Sequence, residues 1–120
     1  MSSIRGVYEI AVPVRELARA ESFYCNVLGF EPGLRDERRN WLFLWVGDRE
    51  GMVVLQESAE AFQPMHFAFR VRREDLAAAT QALRDHGVKT LGPMHHEWMG
   101  ADSLYFPDPD GHELELCALD

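Results

Sequence analysis

Met65-His66-Phe67-Ala68-Phe69-Arg70-Val71 sets bulky apolar side chains at every second position, the period of a half-buried β-strand. The period then changes. Across residues 74–86, Leu76, Ala79 and Leu83 recur at helical spacing, and Glu74 and Asp75 put negative charge in the first turn. Gly87 ends that helix, as a residue free to take positive φ does. Strands follow at 88–91, 103–106 and 113–116. The first half of the chain has the same order. A β-rich run at 7–14 precedes a helix at 16–28 with Leu17, Ala20, Tyr24, Val27 and Leu28 on one side. Gly29 closes it, 58 residues before Gly87, and strands follow at 30–34, 41–46 and 52–57. The expected architecture is α+β: two βαβββ modules, the first about 5–57 and the second about 65–118, in one domain spanning 1–120. Residues 58–64 are too few for a flexible interdomain linker.

A four-stranded sheet with one helix buries only one face. Two such modules must pack together, or the chain must dimerise, before the sheets are closed. The helix-free faces then line a cup-shaped hollow in a mixed sheet. Strand parity says which side chains they carry. Ile10, Val12 and Val14 form one apolar row, so Glu9 and Ala11 point the other way. Phe67, Phe69 and Val71 leave His66, Ala68 and Arg70 opposite; Leu114 and Leu116 leave Glu113, Glu115 and Cys117. Trp41, Phe43 and Trp45 alternate with Leu42, Leu44 and Val46, and Tyr105 lies opposite Leu104 and Phe106. Gathering carboxylates on one face costs several kcal/mol unless a proton or cation compensates. Glu9, His66 and Glu115 are the candidate ligands of a divalent metal, and imidazole with carboxylate suits Mn, Ni, Zn, Fe or Co. Solvated polar residues on an open sheet face, with Arg70 neutralising one acid, are the alternative.

The formal net charge of −8 argues against nucleic-acid binding, which needs a surplus of cations along a phosphate track. No apolar run approaches the roughly 18 residues of a membrane span, and the N-terminus lacks a signal peptide's apolar stretch. A cytoplasmic protein with no membrane partner is expected. Cys25 and Cys117 then read as small buried side chains, not a disulfide.

Three strings carry a family resemblance: Ser22-Phe23-Tyr24-Cys25-Asn26-Val27-Leu28-Gly29-Phe30, His66-Phe67-Ala68-Phe69-Arg70-Val71, and the closing run from Ser103 through Asp108-Pro109-Asp110-Gly111 to Leu116. In this order they resemble the vicinal oxygen chelate superfamily, which includes glyoxalase I, extradiol dioxygenases, and fosfomycin- and bleomycin-resistance proteins. The resemblance covers essentially the whole chain. It implies paired βαβββ modules, commonly a homodimer, and metal ligands at His66 and Glu115. The third ligand in such relatives is usually histidine or glutamine on the first strand, where this chain has Glu9. That departure either makes the metal a weaker Lewis acid or marks a site that has lost it. Glyoxalase-type relatives add a ligand from the fourth strand. Gln56 and Glu57 lie there on opposite faces, and Glu57 is the candidate. The closing hairpin is most like fosfomycin-resistance enzymes. Yet Glu9 replaces the first-strand histidine, Ala11 stands where thiol-transferring members have threonine, and the chain ends at Asp120 before a phosphonate-binding arginine. Fosfomycin is therefore not the expected substrate.

Two functions fit. The first is a metal-dependent enzyme that chelates vicinal oxygens of a small molecule, of lyase or isomerase type, with Tyr105 and Arg70 as catalytic candidates. Extradiol cleavage fits less well, since iron oxygenases normally use two histidines and one carboxylate. The second is a metal-free binder of a cationic or aromatic small molecule, using Trp41, Phe43, Trp45 and Trp98 as stacking surfaces. His95, His96 and Glu97 are expected in a loop over the cavity, and His86 and His112 at a helix end and a turn.

Overall fold

The computed structural model describes residues 2–119; Met1 and Asp120, including the chain end just discussed, lie outside the described residues. It is α+β and divides into two units, 1–62 and 63–120. The first carries β1 (Glu9–Val14), α1 (Leu17–Glu21), β2 (Glu31–Asp36), β3 (Trp41–Val46) and β4 (Gly51–Glu57). The second carries β5 (His66–Arg70), a 3₁₀ turn (Arg73–Asp75) leading into α2 (Leu76–Asp85), β6 (Leu91–His96), β7 (Ala101–Pro107) and β8 (Glu113–Leu119). Among the described residues no helix is long and apolar enough to cross a membrane.

Each unit holds a mixed four-stranded sheet. The order is β1-β4-β3-β2 in the first and β5-β8-β7-β6 in the second. The parallel pairs are β1 with β4 and β5 with β8; the other pairs are antiparallel. In each unit the helix carries the chain from the first strand to the far edge of the sheet, and two antiparallel strands then return to lie beside that first strand. In the first unit, Val12, Leu42, Leu44, Val53 and Leu55 are buried, as are Leu17, Ala20 and Tyr24 from the helix that packs on β3 and β4. In the second, Phe67, Leu104, Phe106, Leu114 and Leu116 are buried, as are Leu76, Thr80 and Leu83 of α2. Each large aliphatic fully withdrawn from water contributes about 1.5–3 kcal/mol, which makes these rows the force that sets strand register.

The structure corrects several expected boundaries. The first helix is α-helical only to Glu21; Ser22–Val27 widens to a π-helix, with the Leu28 N–H donating to Phe23 O at 3.2 Å. Tyr24, inside that wider turn, is fully buried. The sixth strand is not at 88–91. It is Leu91–His96, so His95 and His96 lie on a strand and not in a loop. Leu91-Gly92-Pro93-Met94-His95-His96 has no β-branched residue, and Gly-Pro reads as a turn. Pairing with β7 makes it a strand, with a register shift between Leu91 and Met94. Gly92 takes φ of 106°, and a Cβ there would meet Ser103 O at 2.8 Å. The second strand has a matching shift between Pro32 and Arg35 and runs to Asp36. β7 and β8 both extend beyond their expected ends.

Candidate functional site

In the second unit, sheet register brings polar side chains to one face. His66 opens β5 beside Glu113, which opens β8; Ala68 sits beside Glu115, and Tyr105 of β7 faces Glu115 from the other side. His66 Nε2 lies 3.3 Å from Glu115 Oε1, and Nδ1 lies 3.0 Å from Glu113 Oε1. Glu115 is only 6 % exposed. Its other oxygen, Oε2, accepts a hydrogen bond from Ser103 Oγ at 2.7 Å. Ser103 is fully buried, so the carboxylate is held by a donor that water does not reach.

The closing hairpin fixes these strand starts. Asp108 Oδ1 accepts from the Asp110 and His112 N–H groups, each at 2.9 Å, an Asx-type turn. His112 is fully buried, and its Nδ1 accepts the Met65 N–H at 2.9 Å. The Glu113 N–H donates to Met65 O at 2.8 Å. His112 is thus a clamp between the starts of β5 and β8, not a simple turn residue.

Tyr105 is half-buried, and its hydroxyl lies 3.0 Å from His96 Nε2. The rings of His66 and His96 are each centred 6.3 Å from the Tyr105 ring. His95 points to the opposite face. Its Nδ1 lies 2.6 Å from Asp102 Oδ1, while Arg73 Nη1 donates to Asp102 Oδ2 at 2.5 Å. The His95 contact, with Arg73 second, holds the Asp102 carboxyl below the usual carboxylate range. An open groove of about 420 Å³ is bordered by Lys89, Leu91, Tyr105, Pro107 and Glu113. Arg70 is exposed four residues along β5 from His66, about 13 Å of strand, beside Val71, Arg72 and Leu119. Trp98 is 83 % exposed in the turn after β6, its ring 6.1 Å from that of His96.

In the first unit, Glu9 opens β1 beside Met52 and is exposed. By register Glu9 takes in β1 the place His66 has in β5, while Val54 stands where β8 has Glu115 and Phe43 where β7 has Tyr105. Trp41, Phe43 and Trp45 share the Glu9 face, opposite Gln56, Val54 and Met52, and are half-buried. Arg39 lies over the Trp41 ring at 5.6 Å and Arg49 over Trp45 at 5.9 Å. The Glu9 face here is aromatic; the matching face of the second unit is acidic and histidine-bearing.

His66 and Glu115 are therefore brought together, and Glu9 belongs to the other unit. Among the described residues no group of three His, Cys, Asp or Glu side chains is arranged to hold a metal ion. Glu57 is corrected outright. It lies on the helix side of β4, where Oε2 accepts the Leu17 N–H at 2.9 Å and Oε1 accepts from Asn40 Nδ2 at 3.1 Å. It serves as a helix cap supplied from a distant strand. Gln56 is the residue on the Glu9 face. Cys25 and Cys117 are free thiols in different units, half-buried and not deeply buried. Burial, and then Glu21, pushes the Cys25 thiol up against the opposing pull of Arg35. Sequence reasoning missed Ser103, although alternation with Tyr105 places it on the site's face. It puts His96 in a loop over the cavity and not on a strand beside Tyr105, because β6 does not read as a strand.

The glyoxalase/bleomycin resistance protein/dioxygenase superfamily model matches residues 6–116. The metallothiol transferase FosB of Bacillus licheniformis is 32 % identical over 120 residues, covering 96 % of this chain and 76 % of that protein. The crystal structure of the integron cassette protein HFX_CASS4, from the mobile metagenome of the Halifax Harbour sewage outfall, is 51 % identical with a TM-score of 0.93, covering 97 % of this chain and 100 % of that one. FosX, a fosfomycin resistance protein of Listeria monocytogenes, crystallised with Mn(II) and sulfate, shares the fold at a TM-score of 0.80 and 22 % identity, covering 98 % and 92 %. The match to 6–116 embraces both strand–helix repeats and the closing hairpin, and on that ground the chain belongs to the glyoxalase/bleomycin resistance protein/dioxygenase superfamily.

Proposed function

We propose that the protein is a divalent-metal-dependent enzyme, of lyase or isomerase type, that binds a small substrate through neighbouring oxygens, with Glu9, His66 and Glu115 as the metal ligands. The observation that carries this reading is the His66–Glu115 pair. Two ligand atoms sharing one cation through bonds of about 2.1 Å stand about 3.0–3.4 Å apart, and Nε2 and Oε1 are 3.3 Å apart. Glu115 is buried with Ser103 on one oxygen, so Oε1 is the oxygen left for a cation. Glu9 supplies the third donor by its equivalence to His66 in the repeat. FosB is named a metallothiol transferase and FosX is crystallised with Mn(II), and both support a divalent metal as the cofactor. A ligand set rich in carboxylate suits Mn(II), with Ni, Zn, Fe and Co also served by imidazole and carboxylate.

A bound divalent ion supplies Lewis acidity to the substrate oxygens. The chain's own residues do the rest. Ser103 keeps Glu115 oriented. Tyr105 holds a proton at its hydroxyl, next to His66, with His96 as the partner that aims it. Trp41, Phe43 and Trp45 stack the organic part of the substrate, and Trp98 offers a further ring. Arg70 meets a carboxylate only on a substrate long enough to reach it. A homodimer in the cytoplasm is the expected setting.

A second reading is a metal-free protein that sequesters a cationic or aromatic small molecule. The Arg39–Trp41 and Arg49–Trp45 contacts favour it, because these rings already accept cations. Elemental analysis of the wild type, His66→Ala and Glu115→Ala separates the two. The enzyme reading expects stoichiometric metal in the wild type and loss in both variants. Equal metal content in all three removes it, and quenching of tryptophan fluorescence by a cationic aromatic then points to the binder.

A further inference from the structure

We propose that Glu113 is the positioning residue of His66: it draws the imidazole proton to Nδ1 and so keeps the Nε2 lone pair turned toward Glu115. The inference rests on the metal reading above and adds to it a residue that is not a ligand. A neutral imidazole carries one proton for two nitrogens. In this chain both nitrogens face a carboxylate, Nδ1 at 3.0 Å from Glu113 and Nε2 at 3.3 Å from Glu115. The two acids compete for that proton. If Glu115 takes it, Nε2 is a donor and has no lone pair for a cation. If Glu113 takes it, Nε2 and Glu115 Oε1 present two electron pairs to the same space. The shorter separation is on the Glu113 side, and Glu115 already has Ser103 as a donor on its other oxygen. A ligating histidine whose second nitrogen is held by a carboxylate is better oriented and more basic.

The register makes this contact structural. His66 and Glu113 are direct neighbours across the parallel β5–β8 pair, and the hairpin that fixes both ends in the His112 clamp on Met65. In the first unit the equivalent neighbour of Glu9 is Met52, which has no such capacity. The Glu113 side chain is 61 % exposed, so its removal takes away little packing.

The test uses the whole protein with Mn(II) as the probe. Mn(II) affinity is measured by chelator competition for the wild type, Glu113→Ala and Glu113→Gln. The His66 tautomer is read from two-bond ¹H–¹⁵N spectra of the metal-free proteins, at the alkaline end of a pH series where the ring signals no longer change. Glu113→Ala is expected to weaken Mn(II) about ten-fold and to move the proton to Nε2. Glu113→Gln keeps a carbonyl acceptor and is expected to recover part of both effects. A wild type that binds no Mn(II) overturns the metal reading together with this inference. A wild type that binds, with Glu113→Ala binding within two-fold and an unchanged tautomer, overturns this inference alone. So does a loss of affinity with no change of tautomer, since Glu113 would then act by charge or direct ligation.

Discussion

Replacing Ser103 by alanine isolates the contact that holds the buried carboxylate. Ser103 is fully buried and Glu115 nearly so, and the 2.7 Å O–H···O bond between them is part of the protein interior. A hydrogen bond to a charged group is worth about 1.5–3 kcal/mol, and the carboxylate oxygen left behind has no water to replace the donor. Alanine leaves a space of one oxygen, too small to admit a compensating solvent molecule. A loss of about 2 kcal/mol lowers Tm by roughly 6–12 °C in a domain of this size. Glu115→Gln keeps an acceptor for Ser103 and should lose less. The two changes share one interaction, so Ser103→Ala with Glu115→Gln should fall short of additivity by about 1 kcal/mol. Thermal melts of the four proteins in metal-free buffer give the result. A Tm for Ser103→Ala within 2 °C of the wild type, or strict additivity, would refute the claim that Ser103 fixes Glu115.

Three further outcomes follow from contacts elsewhere. Glu57→Ala removes the acceptor for the Leu17 N–H and is expected to cost about 1 kcal/mol by denaturant melt, without changing Mn(II) affinity; a ten-fold affinity loss would restore Glu57 as a ligand. His112→Phe leaves the Met65 N–H without its acceptor and should cost about 1–3 kcal/mol, with faster amide exchange at Met65 than in the wild type; unchanged exchange there would argue against the clamp. Asp102 has a depressed pKa, so its bonds to His95 and Arg73 stabilise the fold above about pH 4 and that contribution fades as pH falls further. The Tm difference between wild type and Asp102→Asn should accordingly shrink as pH falls below about 4; a gap that widens in acid contradicts the sign.

The repeated βαβββ order was legible because both helices end on glycines and both halves switch period at the same offset. Gly29 and Gly87 do take positive φ, 77° and 75°. Face assignments along β1, β5 and β8 were also legible, since alternation of Val12, Phe67 and Leu114 with their neighbours leaves one choice. β6 was not. Its strand state comes from β7 and a bulge, and neither leaves a signature in Leu91-Gly92-Pro93-Met94. The π-helical turn at Ser22–Val27 was invisible for a similar reason, because 3.6- and wider-turn spacings agree over so few residues. Glu57 was misjudged because a carboxylate at a strand end reads alike whether it meets a metal or a distant helix N-terminus. The polar half of the site, His66 with Glu115, was visible in strand parity; what orients it, through Ser103 and His112, depended on cross-strand contacts that no local pattern encodes.

Gly92 has no functional group, yet it bears on the buried carboxylate two strands away. Any side chain at that point of the bulge would press within 2.8 Å of the Ser103 carbonyl oxygen, and Ser103 is the donor on Glu115. The edge of this sheet therefore behaves as a lever: the smallest residue at its tip permits the close seating of β6, and a single added methyl there would be felt as a displaced proton donor in the interior.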